Sequence, residues 1–178
     1  MNAIQFAKAL VDCAPEVKRL KEAGMTEADA LLVRAAYICK PRLKRSALRE
    51  DPVCELLAMF DVSQVEIGMV SFLKDPLQKG PLIQIGRFEA DPLEIQLPKE
   101  TIVVHELGSK GHILAKCAST PGQFLDALAI AARVLARCSS DSALACDIQV
   151  LRSTAKECSE AAGGLEYEPF FTTLLGAW

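Results

Sequence analysis

The chain has little of what most catalytic and membrane proteins advertise. No run of apolar residues is long enough to span a bilayer, and no apolar leader segment follows Met1, because Lys8, Asp12 and Glu16 interrupt the first stretch. These absences predict a cytoplasmic protein with no membrane partner. The phosphate-loop and dinucleotide glycine fingerprints are missing, as is the G-x-S-x-G nucleophile elbow. Cysteine is present seven times, an odd number at irregular spacing with no C-x-x-C, so a disulfide framework is not expected and buried, reduced thiols are. Excess positive charge is missing too. The formal net charge is -3, which speaks against a general nucleic-acid binder, since such binding rests on basic surface. There is no internal repeat, low-complexity segment or interdomain linker.

What is there is an ordinary globular composition, 51% hydrophobic and 24% charged over 178 residues, which gives room for one sizeable core. A single α+β domain over 1–178 is therefore expected. It divides into a helical part over 1–60, a sheet with its packing helix over 63–138, and a helical extension over 141–178.

The stretch 81–137 organises the rest. Leu82, Ile83 and Ile85 run into Gly86, and Leu93, Ile95 and Leu97 alternate with Glu94 and Gln96. A period of two predicts one buried and one wet face, as in an antiparallel sheet. Thr101–His105 is a β-branched run, Gly108-Ser109-Lys110-Gly111 supplies a hairpin loop, and Ile113–Ala115 returns. Then the period changes. Thr120-Pro121-Gly122-Gln123 carries an N-cap hydroxyl, Pro at the first helical position and Gln at the capping-box position, and Phe124, Leu125, Leu128, Ala132 and Leu135 fall on one stripe. A largely antiparallel sheet over about 65–117, with helices packed against it, is the predicted fold.

Upstream, residues 3–23 read as helix with Ile4, Leu10, Val11, Val17 and Leu20 apolar, kinked or restarted at Pro15 and ended by Gly24. A second helix is expected from Thr26 to about Cys39 and a short one after Asp51-Pro52. Ser63–Leu73 reads as one strand, and Lys74–Gly80 as a polar loop. Lys40, Arg42, Lys44, Arg45 and Arg49 form a basic run. With no aromatic residue interleaved to stack on bases, it reads as a solvated connector rather than a nucleic-acid patch. Downstream, a helix with Leu144, Ile148, Leu151 and Ala155 on one stripe leads to Gly163-Gly164. The tail then places Phe170, Leu174 and Trp178, and Phe171 and Leu175, at helical spacing. That stripe must be covered, by the domain itself or by a second copy in a homodimer.

Two constellations have chemical possibilities. His105 and His112 flank the hairpin loop and would face each other across the ladder if paired in register; with Glu106 or Cys117 they would make a zinc site conceivable, against the plainer reading of surface histidines. Glu89, Asp91 and Glu94 form an acidic cluster at a turn containing Ala90 and Pro92. Paired carboxylates do acid–base work when burial separates their pKa values, but a turn favours exposure and a protein-binding rim.

The order VEIGMVSFL, GPLIQIGRFEADPLEIQL, a strand pair and AKCASTPGQFLDAL resembles the SUKH superfamily over about Ser63 to Leu128. The matching features are Ile85-Gly86, Asp91-Pro92-Leu93, and Ser119-Thr120 before Phe124-Leu125; Ala90 stands where the family usually has glycine. The resemblance implies an α+β fold and a non-catalytic bacterial immunity protein that neutralises a secreted toxin, often a nuclease, by binding it. Glu89, Asp91, Glu94 and Glu106 are then the residues expected to meet a basic toxin face, with no cofactor or metal. Two other readings stand beside it: a small enzyme using Glu89/Asp91/Glu94 or His105/His112, and a regulatory or structural adaptor.

Overall fold

The computed structural model describes every residue except Lys44, Arg45 and Lys110, so part of the basic run and part of the hairpin loop lie outside the described residues. Helix α1 (Ala3–Cys13) starts in a reciprocal cap: the Gln5 amide donates to Asn2 Oδ1 at 2.9 Å, and the Asn2 amide to Gln5 Oε1 at 3.0 Å. It buries Ala3, Phe6, Ala7 and Leu10, leaving Ile4 59% exposed and Val11 outside the core, so the true stripe is one position out of phase with part of the expected one. Pro15 separates α1 from α2 (Val17–Glu22), which Gly24 ends with φ 99.

Helix α3 (Glu27–Ala35) is capped by Thr26 and stops earlier than expected. The chain after it becomes β1 (Lys40–Pro41), paired with β2 (Phe60–Asp61) just beyond α4 (Pro52–Met59). Asp51 Oδ1 caps α4 by accepting from the Val53 and Cys54 amides at 3.0 and 2.9 Å.

The sheet is a six-stranded, curled meander in strict sequence order, every pair antiparallel. Its strands are β3 (Glu66–Ile67), β4 (Val70–Lys79), β5 (Leu82–Phe88), β6 (Asp91–Gln96), β7 (Thr101–His105) and β8 (Ile113–Ala118). The expected single strand over 63–73 is thus a hairpin. Gly68, at φ 58, turns the chain with Met69, and the alternation changes phase there, so that Val65, Ile67, Val70 and Phe72 are the buried set. The expected loop over 74–80 is the far half of β4, exposed and joined to β5 after a register shift between Phe72 and Leu77 that accommodates Pro76.

Ile83 pairs with Ile95, Ile95 with Ile102 and Leu93 with Val104, so one face of the sheet is a continuous apolar surface. Helix α5 (Pro121–Cys138) packs on it, its N-terminus fixed by Thr120 as the sequence predicts. Phe124, Leu125 and Leu128 are fully buried; at about 1.5–3 kcal/mol each, such side chains are the main source of stability. Ala127, Ala131 and Ala132 present little bulk, and this permits the close packing of α7 (Ile148–Ala162) on α5. Before α7, the expected continuous helix is interrupted after a short α6 (Ser142–Ala145), because Asp147 caps a new start by accepting from the Gln149 and Val150 amides.

Gly163, at φ 116, closes α7. A 3₁₀ turn (Leu165–Tyr167) then leads into α8 (Glu168–Leu175). Phe170, Phe171, Leu174 and Leu175 are buried in the domain's own core, so the tail's stripe is covered from within. Trp178 is not part of it: Gly176 at φ 65 ends the helix, Ala177 turns inward instead, and Trp178 is 72% exposed.

Candidate functional site

A cleft of about 410 Å³ opens where the end of the sheet meets α8. Its position follows from two local features. The β5–β6 turn is Glu89-Ala90, so that Asp91 and Pro92, expected in the turn, are already in β6 opposite Phe88 and Arg87. Glu89 takes φ 53, a conformation disfavoured for a side-chain-bearing residue, and Asp91 Oδ1 accepts from the Leu107 amide at 2.8 Å, tying this turn to the β7–β8 loop. The second feature is α8, whose Phe170 ring packs 5.1 Å from the ring of Phe88 and 5.0 Å from that of Phe171.

Phe88, Val104, Phe170 and Pro169 make the apolar lining, and Leu114, Ala115 and Lys116 border it along β8. Glu89, Asp91 and Glu166 supply carboxylates. Lys116 is the cation in this lining, and its Nζ already lies 3.5 Å from Glu166 Oε2, both side chains more than half exposed. Burial, with the Glu166 carboxylate second, pushes the neighbouring Tyr167 phenol above its ordinary value. The cleft thus sets carboxylates beside apolar carbon, with one lysine already paired to Glu166.

The four acidic residues expected to act together are not brought together. Glu89 and Asp91 border the cleft, whereas Glu94 is a correction: expected on the wet face, it is only 6% exposed. It points to the sheet face opposite to that of Leu93 and Ile95, and its Oε2 lies 2.7 Å from Nδ1 of His105, itself 7% exposed. Its direct cross-strand neighbour there, Val103, is also buried. Glu106 is exposed, 3.3 Å from His112 Nδ1. The two histidines do not face each other, because a register shift after Val104 sets His105 opposite Ile113; each has its own glutamate. Among the described residues, no group of three His, Cys, Asp or Glu side chains is placed to hold a metal ion.

The described arginines of the basic run serve the fold. Arg42 pairs with Asp75 at 2.9 Å and donates to the Lys74 carbonyl, and Arg49 pairs with Glu100 and Asp51. Cys117 is fully buried, its thiol pushed well above the ordinary value by burial; burial likewise pushes Cys39 and Cys158 to about 12. None of these thiols borders the cleft.

Phe88, Leu114, Lys116, Glu166 and Phe170 were not singled out together from the sequence. The tail's apolar stripe signalled that it must dock, but nothing local said that it would dock beside the Glu89 turn. Comparison with known proteins finds no match to a family model, to a curated protein or to a solved structure.

Proposed function

We propose that this chain is a non-catalytic, cytoplasmic protein-binding domain of the kind the SUKH resemblance implies, neutralising a cognate bacterial toxin by direct binding. The observation that carries the reading is the cleft: apolar Phe88, Val104 and Phe170 beneath a rim of Glu89, Asp91 and Glu166, with one lysine among them. A protein that handles nucleic acid must present Lys and Arg, and a nuclease toxin is therefore a suitable partner for such a rim. Charge complementarity of this kind speeds association, while an apolar side chain buried in the cleft slows release.

The enzymatic alternative loses support from the same geometry. Its acidic cluster is split between two faces of the sheet, and its histidine pair is split by the register. The test uses paired baits in lysate of the native host: the wild-type chain, a Glu89→Lys variant that reverses the rim charge, and a Thr173→Trp variant that fills the cleft, Thr173 being part of its lining on α8. A protein captured by wild type, lost from both variants, and toxic on expression unless the chain is co-expressed is the expected result. A captured protein retained by both variants overturns the cleft as the binding surface. One whose expression is harmless overturns the immunity role.

A further inference from the structure

The strand order leaves β8 at one edge of the sheet, with β7 on one side and, among the described residues, no strand on the other. Successive side chains of a strand point to opposite faces. Leu114, Ala115 and Lys116 are consecutive, and all three border the cleft. The cleft therefore reaches the edge of β8 itself and is not confined to one face of it. The 3₁₀ turn and α8 lie close to β8, and Lys116 pairs with Glu166 of that turn, but Ile113 and Leu114 remain exposed apolar side chains, where a bare edge is ordinarily guarded by charge or proline. Residues 113–116 are also the less buried end of the strand; Cys117 and Ala118, nearer the helices, are buried.

We propose that the partner contributes an extended segment that adds to β8 as a seventh strand, alternating large apolar and basic side chains. The inference rests on the binding reading above and specifies its geometry. Main-chain hydrogen bonds to the open edge would supply affinity with little dependence on sequence, and the cleft would read alternate side chains. Two features of the edge and its cleft fix the occupant's chemistry. Exposed Ile113 and Leu114 ask for apolar side chains beside them. Glu89 and Asp91, which have no cationic partner among the described residues, ask for lysine or arginine. A second copy of the chain offers a poorer match, because its own β8 presents one lysine and no arginine.

The test uses synthetic peptides with the full-length protein. The probe is an eight-residue peptide alternating Lys or Arg with Leu or Phe, together with two versions N-methylated at every second residue, one for each edge of the peptide. An added strand bonds through one of its edges, so methylation of that edge is expected to weaken binding by about tenfold or more, while methylation of the other changes it little. Hydrogen exchange at the Ile113–Lys116 amides should slow when the unmodified peptide is bound.

Binding that depends on Glu89 but is indifferent to both methylation patterns overturns strand addition and leaves the cleft reading intact. Failure of the alternating peptide to bind, while a captured partner is still lost on Glu89→Lys, does the same. A partner indifferent to Glu89→Lys removes the cleft reading itself. Protection of the 113–116 amides that rises with protein concentration, without peptide, assigns the edge to a second copy and overturns the proposal.

Discussion

Glu94 and His105 meet across β6 and β7 with Oε2 and Nδ1 2.7 Å apart, both side chains buried on the sheet face opposite to that of Leu93 and Ile95. Glu94 sits opposite Val103, so the histidine is its diagonal neighbour, at the distance over which side chains of paired strands still touch. Removing either partner leaves the other buried without its hydrogen bond. Glu94→Ala and His105→Ala are each expected to cost about 1–3 kcal/mol, and the double variant less than the sum of the two. Urea unfolding measures all three. Additive losses would mean that the contact carries no coupling.

The buried thiols give the protein an alkaline limit. Burial raises Cys39 from the ordinary 9.0 to about 12, and burial, then Glu157, raises Cys158 to about 12. A group whose folded pKa is raised favours the fold fully below its unfolded pKa, and this contribution is lost as pH rises through the folded value. Stability should therefore fall between about pH 9 and about pH 12. The decline should be shallower in a Cys39→Ala, Cys158→Ala variant, as read from urea midpoints across that range. Equal slopes in the two proteins would contradict the assignment. At neutral pH an alkylating reagent should modify exposed Cys146 well before Cys117.

Gly86 is required by close approach. A Cβ there would overlap the Ser71 carbonyl oxygen on the paired β4, and backbone cannot rotate away as a side chain can. Gly86→Ala should cost about 2 kcal/mol or more. Gly122→Ala, where a Cβ would find only ordinary contacts, should change stability much less. Thermal melts of the pair test the difference.

The tail divides sharply at Gly176. Phe171 is fully buried against Phe170 and the core, so Phe171→Ala should cost about 3–5 kcal/mol. Trp178→Ala should stay within about 0.5 kcal/mol of wild type, being an exposed position away from any cap or ion pair. Comparable losses at both positions would mean that the terminal tryptophan is covered in solution.

The regularities that were legible in the sequence are the ones with a local cause. The cap at Thr120, the alternating Leu93 and Ile95, and the break at Gly163 each act within a few residues, and each stands where the pattern puts it. Misreadings arose where partners distant in sequence decide. The phase change at Gly68 hides inside an unbroken apolar run, and it follows from how β3 folds back on β4. Glu94 reads as a wet-face carboxylate because alternation is blind to His105, eleven residues on, which turns that position into a buried contact. The candidate site was half legible. The acidic turn was visible, but its apolar lining comes from Phe170, some eighty residues later, and only the packing of α8 joins the two.

In the proposed mode of binding, a protein partner enters the cleft under the Glu89 rim. The most direct measurement is the association rate of the captured partner with wild type and with a Glu89→Lys, Glu166→Lys variant, over a series of salt concentrations, with melting temperatures recorded for both. Both substitutions are at exposed positions. Binding in the cleft requires a melting temperature unchanged within a few degrees, an association rate lowered by about tenfold at low salt, and a flatter salt dependence in the variant. An association rate and salt dependence identical to those of wild type would contradict it.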